Sequence, residues 1–198
     1  MAEKLIMIDG NSLIFRAFHA LPPMNMDNGM QVNAAYGFFS MLLNLVQEQQ
    51  PQYMAVAFDL KGPTFRKEMY AGYKATRAKT PEELLEQFPL IKQALNLLNI
   101  KILQIPGYEA DDIIGTMTAR ADAEGMDSYI YTGDRDSLQL ISEHTKVMLT
   151  RKGVSEIEVY DLGHLQEILG LEPWQIIDMK GLMGDASDNI PGIAGVGE

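Results

Sequence analysis

The sequence predicts an α/β fold, an α/β/α sandwich around a mostly parallel sheet. Three observations carry that reading. Short apolar runs of strand length alternate with stretches whose apolar residues recur at helical spacing, and strands separated by helices are joined as parallel neighbours. The chain has 198 residues, enough for one well-buried core. It is 46% hydrophobic and 22% charged, a balance that favours a globular domain over disorder.

The elements follow in order. Leu5 to Ile8 reads as a buried strand, followed by a turn at Asp9-Gly10 and a mixed helical stretch. From Asn33 to Gln49, Ala35, Phe38, Phe39, Leu42, Leu45 and Val46 keep helical spacing, and Pro51 ends that helix. Tyr53 to Phe58 is a second buried strand. A basic segment without clear periodicity runs to Thr80, where Thr80-Pro81-Glu82-Glu83 offers an N-cap, a proline at the first helical position and a capping-box glutamate. The helix it opens should bury Leu84, Phe88, Ile91, Leu95 and Leu98 and be bent by Pro89.

Ile100 to Ile105 is a short strand. Glu109 to Glu124 is a helix with Ala110, Ile113, Ile114, Met117 and Ala121 on one face. Ser128 to Thr132 is a strand, with a short helix after Asp136. Lys146 to Tyr160 is expected to be an edge hairpin turning near Lys152-Gly153, with Ile157 and Val159 on one face. Asp161 and Pro173 open two further helices. Residues 1–183 are expected to form the main domain and 184–198 a separate Gly-rich tail.

Several function classes are excluded. There are no cysteines, so disulfides and thiolate metal sites are absent, which fits a reducing cytoplasm. The first apolar run is too short for a signal peptide, and no other run approaches a membrane-spanning length. The expectation is a soluble, cytoplasmic monomer that does not engage a membrane. Neither a phosphate-binding P-loop nor a dinucleotide Gly fingerprint is present. His19, His144 and His164 are scattered and read as surface or packing residues.

The net charge of −11 argues at first against a nucleic-acid partner. The distribution of that charge points the other way. Asp9, Asp59, Glu109, Asp111, Asp112, Asp134, Asp136, Asp185 and Asp188 are candidates for one site, and setting those nine aside takes the chain from −11 to −2. In open parallel sheets ligands bind beyond the carboxyl ends of the strands. Asp9 follows the first strand, Asp59 the second, Glu109-Ala-Asp111-Asp112 the third and Asp134-Arg-Asp136 the fourth. Any one of them alone is better explained as a turn residue or helix cap. Successive strand ends finishing in acids are harder to attribute to capping.

Gathered carboxylates repel, at a cost of about 4 kcal/mol for two charges 4 Å apart at an effective dielectric near 20. Protons or cations must neutralise them. With oxygen donors alone, the matching ions are Mg²⁺ or Mn²⁺ rather than Zn²⁺. A pair of such ions can activate water and steady the leaving oxygen of a phosphodiester. A single structural calcium site is the plainer alternative, but acids from many distant segments converge.

Between Lys61 and Lys79, six cations (Lys61, Arg66, Lys67, Lys74, Arg77 and Lys79) stand against Glu68 alone, interleaved with Phe65, Tyr70 and Tyr73. A solvated basic face is the ordinary explanation of such a stretch. Its cations repel one another and few apolar residues anchor it, so residues 61–79 are expected to be poorly ordered without DNA. The tail, Gly184-Asp185-Ala-Ser-Asp188-Asn-Ile-Pro191-Gly192-Ile-Ala-Gly195-Val-Gly197, joins two acids to spaced glycines. It could be a surface turn. It also suits the hairpin of a helix-hairpin-helix, where the N–H groups of Gly192, Gly195 and Gly197 approach phosphates closely.

Taken in order, Ile8-Asp-Gly-Asn-Ser12, Phe58-Asp59, Tyr73-Lys-Ala-Thr-Arg77, Gly107-Tyr-Glu-Ala-Asp-Asp112, Thr132-Gly-Asp-Arg-Asp136 and Gly184-Asp-Ala-Ser-Asp-Asn-Ile-Pro-Gly192 resemble the 5′-nuclease domain at the amino end of bacterial DNA polymerase I, related to the flap endonucleases. Together these motifs are specific; each alone is weak. The resemblance implies a PIN-like nuclease fold with a helical arch, spanning about residues 61–90, over the active site. It implies one cation held by Asp9, Asp59, Glu109 and Asp111 and a second by Asp134, Asp136 and Asp185, with Asp112 and Asp188 in or beside the cluster. Lys74 and Arg77 match arch cations that contact the scissile phosphate and act in catalysis. Their spacing of three would set them on one helical face. Tyr73 lies beside them as a stacking surface, and Arg66 joins them in gripping DNA. The implied partners are DNA with 5′ ends, flaps or nicks, RNA primers, and a polymerase domain in the same polypeptide. The family continues past Glu198 with a second hairpin helix, so the tail is expected to be the start of a truncated motif, one that would hold K⁺ if completed.

Competing readings are a stand-alone bacterial 5′-nuclease paralogue and a DNA-binding module that has lost catalysis; the second predicts missing acids, and none is missing. A PIN-type ribonuclease would lack the basic arch and the Gly-rich tail, and a small-substrate phosphatase would need neither.

Overall fold

The computed structural model describes residues 3–151, 153 and 156–197. Strand β1 (Lys4–Asp9) leads into helix α1 (Gly10–Ala20), then α2 (Asn33–Gln49) and β2 (Tyr53–Ala57). The basic segment contains a short helix α3 (Phe65–Met69) and is followed by α4 (Glu82–Leu85) and α5 (Gln87–Leu97). Next come β3 (Lys101–Leu103), α6 (Ala110–Ala123), β4 (Asp127–Thr132), a 3₁₀ turn (Arg135–Leu140), β5 (Thr145–Thr150) and β6 (Ile157–Tyr160). Helices α7 (Leu162–Leu169) and α8 (Gln175–Met183) precede a small ribbon of β7 (Gly184–Asp185) and β8 (Ile190–Pro191).

The main sheet has six strands in the order β3-β2-β1-β4-β5-β6. All neighbours are parallel except β5 and β6, which pair antiparallel at one edge. β1 is central and apolar on both faces. Ile6 and Ile8 pack into one core with α1, α2 and α5, while Leu5 and Met7 pack into the other with α6 and α7. Two buried faces explain why the strand reads as a continuous apolar run instead of an alternating one. None of the described helices is long and apolar enough to cross a membrane.

Several local expectations need correction. Thr80 does not cap a helix: α4 starts at Glu82 after Pro81 and has no side-chain cap. The interruption expected from Pro89 is present: the helix breaks at Glu86, between α4 and α5, where Pro89 has no N–H to donate to the Leu85 carbonyl. Leu98 is past the end of α5 and exposed. In the edge hairpin Ile157 and Val159 share a face of β6 as expected, and Tyr160, on the other face, is the buried residue. Of the expected turn, Lys152 lies outside the described residues and Gly153 has φ +62°.

Candidate active site

Parallel pairing brings the carboxyl ends of β1, β2, β3 and β4 to one edge. Asp9, the last residue of β1, caps α1 by accepting from Ser12 N at 3.0 Å, and its other oxygen accepts from Thr132 Oγ1 at 2.9 Å. The next residue must be small, because a Cβ on Gly10 would sit 2.5 Å from the Phe58 ring. Asp59, two residues past β2, accepts from Ala110 N at 2.7 Å at the start of α6. Asp134 accepts from Asp136 N at 2.9 Å. The N-terminal ends of α1 and α6 therefore both face the acids, where their dipoles favour negative charge.

Asp9, Asp59, Glu109, Asp111 and Asp134 border one cleft of about 490 Å³. Glu109, Asp111 and Asp134 also border an adjoining cleft of about 460 Å³, together with Asp112, Asp136, Asp185 and Asp188. All nine sequence-selected acids thus gather at the same sheet edge, in two groups that share members. Burial, followed by the charges of Asp9, Asp134 and Asp59, pushes the Asp111 carboxyl up to about 8. Burial also raises Asp9 to about 6, with Asp59 and Asp134 adding to the rise and the Ser12 and Thr132 hydrogen bonds opposing it. No ion pair to a Lys, Arg or His joins Asp9, Asp59, Asp111 or Asp134 among the described residues.

The remaining acids are compensated. Arg66 forks onto both oxygens of Asp112 at 2.7 Å, and Asp112 also accepts from Glu109 N at 2.9 Å. Burial opposes ionisation of Asp112, but the Arg66 bonds outweigh it and hold its carboxyl below the usual range. Glu109 receives Lys74 Nζ at 2.8 Å and the Tyr73 hydroxyl at 2.9 Å. Arg77 pairs with Asp188, and Lys180 Nζ bridges Asp136 at 2.7 Å and Asp185 at 2.8 Å.

Arg66, Lys74 and Arg77 thereby clamp the basic segment over the sheet edge. Lys67 Nζ donates to the carbonyls of Ala71 and Tyr73, Lys74 N to that of Asp188, and Asn189 Nδ2 to that of Gly72. The sequence expectation that Lys74 and Arg77 share a helical face is not met. The chain turns through residues 71–76, and Lys74 has φ +54°. Both side chains nevertheless border the two clefts. Tyr73 is buried, its hydroxyl on Glu109 and Lys74 Nζ 4.9 Å from its ring centre, so its ring is not a free stacking surface.

Gly192 is needed for packing: a Cβ there would lie 2.0 Å from the Met183 carbonyl oxygen. Gly195 has φ +83° with open space around it, and Gly197 is exposed; Glu198 lies outside the described residues. Lys180 was missed by sequence reasoning, as were Asn11 and Ser12. Asn11 Oδ1 accepts from Asp59 N at 3.2 Å, and Ser12 Oγ accepts from Gly133 N at 2.9 Å. Their presence beside Asp9 in one motif was the available signal.

The donor set suits a hard divalent cation: oxygen ligands, partly buried, with uncompensated like charge. Among the described residues no three acidic or imidazole side chains close a ligand shell by themselves. Mg²⁺ does not require that, since it keeps several waters and uses few direct carboxylates.

Residues 4–170 match the family model for the 5′-3′ exonuclease N-terminal, resolvase-like domain. The chain belongs to this family. It is 50% identical over 198 residues to the DNA polymerase I of Bacillus caldotenax, covering 100% of the chain and 23% of that protein. The chain therefore corresponds to the amino-terminal part of the polymerases it matches and spans under a quarter of their length. Its fold is that of the T5 D15 protein co-crystallised with metal ions, with TM-score 0.77 and 25% identity over 98% of this chain and 71% of that one. The bacteriophage T5 D15 flap endonuclease in a pseudo-enzyme–product complex with DNA and metal ions is similar too. There the TM-score is 0.78 and the identity 25%, with the same coverage of both chains.

Proposed function

We propose that this exonuclease-family chain is a divalent-metal-dependent 5′-3′ exonuclease and flap endonuclease that hydrolyses DNA phosphodiester bonds. Its substrates are DNA with 5′ ends, flaps or nicks, and RNA primers paired to DNA. Its setting is the amino-terminal part of a cytoplasmic DNA polymerase I, whose polymerase domain follows in the same polypeptide and fills the gaps left in primer removal and repair. The observation that supports this most is the uncompensated set Asp9, Asp59, Asp111 and Asp134, lying directly beneath a basic segment whose cations border the same clefts. The metal- and DNA-bound T5 relatives support it independently.

In this reading Asp9, Asp59, Glu109 and Asp111 hold one cation and Asp134, Asp136 and Asp185 the other. When bound, the pair supplies an activated water and charge stabilisation at the leaving oxygen. Lys74 and Arg77 exchange their carboxylate partners, Glu109 and Asp188, for non-bridging phosphate oxygens and stabilise the charge that develops there. Arg66, held on Asp112, keeps the basic segment over the cleft during that exchange. Asn11 and Ser12 lock the ends of β1, β2 and β4 together, so the acids are pre-positioned. Gly195 and Gly197 offer backbone N–H groups to the duplex phosphates beyond the site.

The test is Asp134→Asn, which keeps side-chain size and removes one charge. Cleavage of a 5′-labelled flap in Mg²⁺ should be abolished, while binding of the same flap stays equal or tightens because repulsion with phosphate falls. Cleavage at the parent rate would show that the assignment of two cations to these acids is wrong.

A further inference from the structure

The two groups of acids differ in a respect that the metal assignment does not explain. Asp9, Asp59, Asp111 and Asp134 have no ammonium or guanidinium partner among the described residues, whereas Asp136 and Asp185 share one. Lys180 reaches out from α8 near its C-terminal end. Its Nζ lies 2.7 Å from Asp136 Oδ1, on the 3₁₀ turn after β4, and 2.8 Å from Asp185 Oδ2, on β7. These acids come from separate elements, and α8 packs against the 3₁₀ turn to bring them together.

Asp185 is oriented for this contact. Its Oδ1 accepts from Ser187 N at 2.8 Å, Ser187 Oγ at 2.7 Å and Asp188 N at 3.2 Å, which leaves Oδ2 for the lysine. The outcome is a positive charge set between two carboxylates by a helix, a turn and a ribbon together, partly shielded from solvent. A flexible surface pair would lack that support.

We infer that Lys180 is the resident counter-ion of the Asp136–Asp185 pair and must leave it before a divalent cation is held there, so that this lysine weakens metal binding on that side of the site. The inference rests on the proposal that these acids hold metal. The reason is steric and electrostatic at once. An ammonium hydrogen-bonds to carboxylates at about 2.7–2.9 Å, while Mg²⁺ needs oxygens at about 2.0–2.1 Å, and both occupy the space between the same two oxygens. A displaced Lys180 also remains within its four-carbon reach of the cleft, adding like charge beside the incoming ion.

Lys180 is thus a positioning residue: it holds the two acids together and in register without metal. The side of the cluster with no resident cation should fill first, and the Asp136–Asp185 side only at higher metal concentration.

The experiment counts free Mn²⁺ by electron paramagnetic resonance during titration of the metal-free 198-residue chain, with no DNA present. The parent is compared with Lys180→Gln, Lys180→Arg and, as a control, Lys146→Gln, whose ammonium pairs with Asp161 at 3.6 Å. Lys180→Gln should tighten the weaker class of Mn²⁺ site by about tenfold or more and leave the tighter class within about twofold. Lys180→Arg and Lys146→Gln should match the parent. If Lys180→Gln is unfolded without metal, Mn²⁺-driven refolding followed by circular dichroism reads the same constant, since an ion bound by the folded state stabilises it. Refolding at lower Mn²⁺ than the parent's weaker constant supports the inference, and failure to refold overturns it. A weaker class that is unchanged or loosened in Lys180→Gln also overturns it and leaves the metal assignment standing. Absence of bound Mn²⁺ in every chain, the parent included, refutes the metal assignment itself.

Discussion

Asp111→Asn should make the metal-free protein more stable, although it alters a residue proposed to act in the site. The folded protein holds the Asp111 carboxyl at about 8 against an ordinary 3.8, through burial first and then the charges of Asp9, Asp134 and Asp59. A group whose pKa is raised on folding keeps its proton in the native state after the unfolded chain has lost it. Stability therefore falls as pH rises from about 4 to about 8 and is flat beyond. At about 1.36 kcal/mol per unit the rise corresponds to an upper figure of about 6 kcal/mol. Asp111 is partly exposed, and solvent screening leaves about 2 kcal/mol of destabilisation at pH 8. Asparagine carries no charge and escapes that cost. For a chain of this length about 2 kcal/mol corresponds to roughly 4–8 °C in Tm. The assay is thermal unfolding in a chelator at several values between about pH 5 and about pH 8, followed by circular dichroism. The variant should melt higher, with a gap that widens toward pH 8, and saturating Mn²⁺ should reverse the order. A variant that melts below the parent at pH 8 without metal, or a gap that does not widen with pH, would refute the claim that ionising Asp111 in this buried, acid-lined place is costly.

Other changes test other parts of the reasoning. Lys74→Ala removes a cation that borders both clefts and should lower single-turnover cleavage of bound flap by about 10²-fold or more with little change in metal binding; loss of affinity alone would make it a grip residue. Gly192→Ala forces a Cβ against the Met183 carbonyl and should open the β7–β8 ribbon, read as faster amide exchange at residues 184–191; unchanged protection would show that the backbone there yields easily. Phe38→Ala empties a fully buried position beneath the sheet and should cost about 3–5 kcal/mol in urea unfolding, with a cost under about 1 kcal/mol showing that the core collapses around the gap.

What the sequence made legible was what local pattern encodes. The helix Asn33–Gln49 has the bounds that its apolar spacing implied, because its stripe packs on a single core. Acids at strand ends pointed to one edge because parallel strands leave no other place for them. The partners of those acids were not legible. Lys180 lies five residues before Asp185 across a helix end, and its bond to Asp136 spans two elements, so no periodicity reports it. The backbone at Lys74 was misread for a related reason. A spacing of three suggests a helix, whereas the bond from Lys74 N to the Asp188 carbonyl and the φ of +54° are set by the distant tail. Tyr73, beside cations in the sequence, has the look of a base platform, but its hydroxyl is buried on Glu109.

The strand order also governs when the site comes into being during synthesis. β1 occupies the middle of the sheet, and one of its neighbours, β2, is made soon after it, so β1, α1, α2 and β2 can associate early. The other neighbour, β4, ends at Thr132, whose hydroxyl meets Asp9 across 123 residues of chain. Pairings of such long range form late, because the intervening chain must be ordered first. The emerging polypeptide can thus build half its core while Asp9 still faces an open slot, and the acids become a cluster only when β4 docks. A nascent chain of this design carries no assembled acid cluster until most of the domain has been made.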